Sequence, residues 1–159
     1  MLLYYILAVV LVGIDQLVKY LTVQNIPLHE TAEFIPGVLS FTYHQNTGAA
    51  WSILEGQMWF FYIITIIVIG VIIYYMQSQK KHHPLLSTAL SFLLAGAAGN
   101  FIDRLFHQYV IDMFRLEFIQ FPIFNVADAA LTVGVVLMII YLIIDELNMY
   151  KQKKADDRS

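Results

Sequence analysis

The sequence predicts a membrane all-α protein: four transmembrane helices with both termini cytoplasmic, plus a small extracytoplasmic antiparallel β-sheet and a flap between spans three and four. Three observations lead there. The chain is 59% hydrophobic and only 13% charged, with mean hydropathy +0.67, whereas a soluble domain is nearer half apolar and a quarter charged. Four long apolar runs punctuate it, each about 20 residues, enough at ~1.5 Å rise per residue to cross a ~30 Å hydrocarbon layer. Lysine and arginine, finally, gather in only some of the links between those runs.

Span one covers residues 2–21. It lacks a basic segment ahead of it and a small-residue cleavage site behind it, so it reads as a retained span rather than a secretion signal. An outer link, 22–57, follows. Pro27, Pro36 and Gly37 punctuate it, and the Val38–His44 stretch (Val-Leu-Ser-Phe-Thr-Tyr-His) is β-rich with partial alternation, which predicts the small sheet. Asn46-Thr47-Gly48 then supplies a turn. Spans two and three are residues 58–76 and 85–104. An aromatic outer flap with Pro122 occupies 105–125, suited to the headgroup level. Span four is 126–144 and a cytoplasmic tail fills 145–159, all in one membrane domain, 1–159.

Orientation rests on the rule that short cytoplasmic links hold the excess of Lys and Arg. Lys80 and Lys81 lie between spans two and three, and Lys151, Lys153, Lys154 and Arg158 lie in the tail. The 22–57 link has neither residue type, and the flap has Arg115 alone. The polar residues at lipid depth then converge on one level, the outer leaflet. Asp15 and Lys19 lie ~20 and ~26 Å along span one, Asn100, Asp103 and Arg104 close span three, and Asn125 and Asp128 open span four. Asp112 sits in the flap between them.

Several chemistries are excluded. There is no cysteine, hence no disulfide, thiolate metal site or cysteine nucleophile. A net charge of −3 offers no footprint for nucleic acid. His82 and His83 are adjacent on the cytoplasmic side, and His29, His44 and His107 are scattered without zinc spacing; no metal or other cofactor is expected. Ser40, Ser52, Ser87 and Ser91 lack a nucleophile-elbow context.

Ionisable side chains at bilayer depth are costly and usually functional. Asp15 and Lys19, four apart, share a helix face and pair, either bracing span one or binding substrate, and in both cases facing the bundle interior. The Ala95–Gly99 stretch (Ala-Gly-Ala-Ala-Gly) allows close helix approach. Arg104 offers five fixed donors, for a substrate or headgroup contact or as an interfacial anchor. The spacing of Asn125 and Asp128 predicts a helix cap, but a cap leaves Asp112 unexplained. Flanked by Val110, Ile111, Met113 and Phe114, Asp112 should have a raised pKa. Two carboxylates in one low-dielectric site hold a single proton between them, an acid and a base together; which does which stays open.

Asp15-Gln16-x-x-Lys19, Asn46-Thr47-Gly48-Ala49-Ala50-Trp51-Ser52, Gly99-Asn100-Phe101-Ile102-Asp103-Arg104, Val110-Ile111-Asp112 and Phe124-Asn125-Val126-Ala127-Asp128 together resemble the lipoprotein signal peptidases (signal peptidase II), in order and spacing along the whole chain. Met113, Gln45 and Val18 depart from that family's usual residues. The resemblance implies an aspartyl endopeptidase of the bacterial cytoplasmic membrane that cleaves prolipoproteins immediately before a diacylglyceryl-modified cysteine, with membrane lipids around it and globomycin-type inhibitors as ligands. It places the catalytic dyad on Asp112 and Asp128. Substrate-binding or site-supporting roles fall on Asp15, Lys19, Asn46, Gly48, Asn100, Asp103, Arg104 and Asn125. A small proton- or ion-coupled transporter is the rival reading, although transporters favour midplane sites and internal repeats. A non-catalytic lipoprotein-binding module is a third.

Overall fold

The computed structural model describes residues 1–48, 54–78 and 83–156. Lys80, Lys81, His82 and Arg158, used above for orientation and metal arguments, and residues 49–52 of the second motif, lie outside them. In chain order the elements are α1 (Leu2–Asn25), β1 (Thr31–Ile35), β2 (Leu39–Asn46), α2 (Met58–Ser78), α3 (Pro84–His107), β3 (Val110–Leu116) and α4 (Val126–Asp156). All four helices are long and apolar enough to cross a membrane.

Helix α3 is the axis of the bundle. Half of its apolar window is buried inside the protein, against 22% for α1, 17% for α4 and 11% for α2. The other three therefore turn most of their apolar surface outward, as lipid-facing helices do. Composition explains the difference: α3 carries the small residues Ala89, Ala95, Gly96, Ala97 and Gly99, all buried, and small side chains let helix backbones approach. A methyl group on Gly96 would run into the Ala127 carbonyl and Leu131, and one on Gly99 would sit 2.6 Å from Asp15 Oδ2. Across the same seam, a Cβ on Gly134 would fall 2.8 Å from Leu93 Cγ and 2.9 Å from its backbone nitrogen. Gly134→Ala should therefore cost about 1–3 kcal/mol by overpacking, read as a lowered thermal midpoint of the detergent-solubilised protein; an unchanged midpoint would mean that the seam yields.

One apolar cluster, Ala8, Ile72, Met76, Leu86, Leu90, Leu94 and Ala95, ties α1, α2 and α3 together at the end where α3 begins. A second, Tyr43, Ile111 and Met113, lies under the sheet at the other end. The polar residues are caught between the two.

The sheet is antiparallel in the order β1-β2-β3, with Thr31 opposite Thr42, His44 opposite Asp112 and Asn46 opposite Val110. Gly37, at φ +69°, takes the left-handed conformation in the hairpin between β1 and β2. The small sheet expected in the 22–57 link is present, but its third strand comes from the 105–125 flap. Gln108, at φ 64°, closes α3 and donates its N–H to the Arg104 carbonyl at 3.1 Å, turning the chain straight into β3. Alternation does not announce β3, because Val110 through Met113 are all buried. Helix α4 also continues to Asp156, through most of the segment expected as a tail.

Candidate active site

Two short segments bring the flap aspartate and the span-four aspartate together. Pairing with β2 places Asp112 on β3, 1% exposed. Asp128 lies in the first turn of α4. There Asn125 is the N-cap: its Oδ1 accepts the Asp128 N–H at 2.9 Å, and Asp128 Oδ2 accepts the Asn125 N–H at 3.2 Å, a reciprocal capping box with Asp in the usual Glu place. The cap exists, and it does not exhaust the carboxylate. Asp128 Oδ1 accepts from Asn100 Nδ2 at 2.7 Å. Asn125 Nδ2 donates to Asp112 Oδ1 at 2.7 Å and to Asn100 Oδ1 at 3.0 Å, so one asparagine bridges both acids. Asn46 Nδ2 holds the other Asp112 oxygen at 3.0 Å while its own Oδ1 accepts the Gly48 N–H at 2.9 Å. The carboxyls are thus gripped by amides whose rotation is fixed by further bonds.

Burial pushes the Asp112 carboxyl up to about 7, and the Asp128 charge adds to that push; the Asn46 and Asn125 amides and Lys19 pull the other way. The apolar neighbours seen in the sequence account for the first effect. Near neutral pH the carboxyl can therefore hold a proton that an ordinary aspartate has lost.

Behind the acids lies a buried ion cluster. Lys19, 1% exposed, has all three of its donors engaged: Asp15 Oδ2 at 2.9 Å, Asp103 Oδ2 at 2.9 Å and Asn100 Oδ1 at 3.2 Å. Each of its two carboxylates also accepts a backbone N–H. Asp15 Oδ1 takes that of Ala127 at 2.8 Å, and Asp103 Oδ2 that of Ile111 at 2.9 Å. Ala127 precedes Asp128 and Ile111 precedes Asp112. A single ammonium therefore anchors the backbone directly ahead of both acids, and it does so from α1, an element that supplies neither. Asp15 and Lys19 face the interior, as their cost in lipid requires.

Arg104 lies nearer the rim. Its Nη2 donates to the Gly48 carbonyl at 3.0 Å and its guanidinium stacks 4.5 Å above the Phe61 ring, while its buried Nε has no hydrogen-bond partner among the described residues. Asp15, Lys19, Asn46, Asn100, Asp103, Asp112, Asn125 and Asp128 form one connected set, and Gly48 and Arg104 flank it. Three contributors escaped the sequence reading as site residues. Gln16 Nε2 donates to Asp103 Oδ1 at 3.0 Å, to Asp15 Oδ2 and to the Gly99 carbonyl, both at 3.2 Å; an amide beside Asp15 in an otherwise apolar helix was the available signal. Phe61 and Tyr62, whose hydroxyl donates to the Arg104 carbonyl at 2.8 Å, are indistinguishable in sequence from other aromatic residues of α2.

The acids open onto two cavities. One, about 760 Å³, runs between α2, α3 and α4 past Ile64, Val68, Ala97, Leu131 and Val133, and both Asp112 and Asp128 line it. The other, about 670 Å³, lies between the sheet and the 117–123 loop and includes Asp112 with His44 and Arg115.

Comparison with known proteins places the chain in a family. The family described as signal peptidase (SPase) II matches residues 7–144. The lipoprotein signal peptidase of Enterococcus faecalis (strain ATCC 700802 / V583) is 58% identical over 143 residues, 90% of this chain and 89% of that protein. That of Listeria monocytogenes serotype 4a (strain HCC23) is 53% identical over 145 residues, covering 90% and 94%. A solved structure described as a bacterial membrane enzyme, determined by the in meso method at 2.3 Å resolution, superposes with a TM-score of 0.89 at 41% identity, over 93% of this chain and 92% of that one. A second of the same description, at 1.9 Å, gives 0.83 at 41% identity.

Proposed function

Because the chain belongs to the signal peptidase II family, we propose that it is an aspartyl endopeptidase that removes the signal peptide from diacylglyceryl-modified prolipoproteins, cutting immediately before the modified cysteine. One observation carries this reading: two acids from separate elements, Asp112 and Asp128, are bridged by the single residue Asn125 and open on a common apolar cavity. No transport reading needs that pairing.

Asp112, with its raised pKa, holds the proton and acts as the acid. Asp128, at the N-terminal turn of α4 where the helix dipole complements negative charge, acts as the base. It takes a proton from a water lying between the two carboxyls, and the hydroxide so formed attacks the scissile carbonyl carbon. Asp112 gives its proton to the carbonyl oxygen. Collapse of the tetrahedral intermediate breaks the C–N bond: Asp128 passes the proton it took from water to the departing amine, and Asp112 recovers its own from the hydroxyl as the carbonyl re-forms. Asn46 and Asn100 hydrogen-bond the substrate backbone, and Arg104 Nε, without a partner among the described residues, donates to a substrate carbonyl. The apolar cavity suits a signal-peptide helix arriving from lipid, with the diacylglyceryl chains remaining in the bilayer beside it.

The orientation that serves this chemistry puts both termini in the cytoplasm and the sheet and acids at the outer leaflet. The exposed Lys151, Lys153 and Lys154 at the end of α4 support it under the positive-inside rule. A transporter would favour a site near the midplane, whereas here the polar cluster and the sheet occupy one end of the bundle.

Two tests follow. Purified protein in detergent should cleave a lipidated prolipoprotein, and globomycin should stop it; an intact substrate after prolonged incubation would end the peptidase reading. The rate should also fall as pH rises through about 7, because Asp112 then loses the proton it must donate. The same shift links to stability. Between the ordinary carboxylate range and pH 7 the folded chain holds a proton that the unfolded chain has released, so Asp112's contribution to stability declines as pH rises across that window. A rate still climbing at pH 9 would remove Asp112 as the acid.

A further inference from the structure

The two cavities meet at Asp112 and differ in character. Asn46, Asp112, Leu116 and Phe121 line both. Beyond the shared residues, the α2–α4 side adds the aliphatic Ile64, Val68, Ala97, Leu131 and Val133 around its polar end, whereas the sheet side adds His44, Arg115, Glu117 and Gln120 beside Phe118 and Ile119. A polypeptide cut at the acids must lie on both sides of them, and the signal-peptide half is the apolar half. We infer that the groove between the sheet and the 117–123 loop is the subsite for the mature half of the substrate, the extended segment following the modified cysteine, and that Arg115 and Glu117 set its preference for charge.

The inference rests on the peptidase reading and extends it to the other side of the cut bond. The groove's volume, about 670 Å³, is within the range that pockets use to enclose small ligands, and so holds a few residues rather than a folded domain. Burial, with the charge of His29, lowers the His44 pKa, so His44 is uncharged at neutral pH and Arg115 and Glu117 supply the groove's full charges. They face each other at 3.5 Å with Arg115 half exposed. A pair so exposed is worth little, and each partner is free to exchange the other for a charge on the substrate. Neither residue bonds to the acids or to the Lys19 cluster, so their contribution is separable from the chemistry.

The experiment compares kcat/KM for two lipidated peptides identical except for the mature segment, one acidic and one basic over its second to fourth residues. Arg115→Glu should move the ratio toward the basic peptide, and Glu117→Arg toward the acidic one, each by about three- to fivefold, the scale of an exposed pair. Taking the ratio within each variant cancels any general loss of folding or rate. A ratio unmoved in both variants overturns the inference. Should the charge reversals prove inactive, the unaltered enzyme decides: a photoreactive residue at the third mature position should cross-link within residues 115–121, and cross-linking to α2 or α4 instead overturns it. Failure of the unaltered enzyme to cut either peptide is a different result, which sinks the peptidase reading and this inference with it.

Discussion

Asp112→Asn and Asp128→Asn should each lower turnover of a lipidated prolipoprotein by at least about 10³-fold, while each variant still inserts and purifies like the parent. On the proposed mechanism each change removes a group that moves a proton in the transition state, worth typically 10²–10⁴-fold by itself, from a pair that acts as one unit, so the survivor does not make good the loss. Asparagine keeps the shape and burial of the side chain. At position 112 it can still take the Asn125 amide on its carbonyl oxygen, although its own NH2 then meets Asn46 Nδ2. At position 128 it can still accept the Asn125 N–H on its carbonyl oxygen as the capping-box partner, although its own NH2 then meets Asn100 Nδ2. Folding should therefore survive and chemistry should not. Turnover retained within tenfold in either single variant, measured on purified protein by product mass, would take that residue out of the reaction.

Lys19→Met should be the most damaging change away from the acids. Methionine fills nearly the same volume and leaves Asp15 and Asp103 buried together, each about 1% exposed, with no cation between them. Breaking a buried ionic cluster from one side costs about 3–5 kcal/mol. The damage should also reach the chemistry, because those two carboxylates hold the Ala127 and Ile111 N–H groups that immediately precede Asp128 and Asp112. Adding Asp103→Asn to Lys19→Met removes one stranded charge and should recover part of the lost stability, a non-additivity expected only of groups in direct contact. Thermal unfolding in detergent reads both variants. If Lys19→Met melts with the parent, the cluster is not the brace described here.

Much of this was legible in the sequence, for identifiable reasons. The apolar runs mark the helices because hydrocarbon admits little else, and the same expense makes Asp15, Lys19, Asn100 and Asp103 conspicuous. Asp112 stands out because Val110, Ile111 and Met113 around it are apolar, and the structure shows why that matters: the buried strand raises its pKa to about 7. The cap at Asn125 and Asp128 was readable from spacing, but that Asn125 also bridges the two acids depends on tertiary contact. Strand β3 was hidden, since a strand buried on both faces lacks alternation. The extension of α4 to Asp156 was hidden too, because hydropathy locates the apolar part of a helix and not its polar continuation. The three-way engagement of Lys19 shows only its Asp15 half as an i,i+4 pair; the Asp103 half crosses from α1 to α3.

The proposed sharing of one proton by the two acids is tested directly by difference infrared titration of the carboxyl C=O stretch in the purified protein. A protonated-carboxyl band is expected at pH 6, lost with an apparent pKa near 7, and absent from Asp112→Asn. A protein with no such band at pH 6, or one whose band persists unchanged in Asp112→Asn, would contradict that sharing.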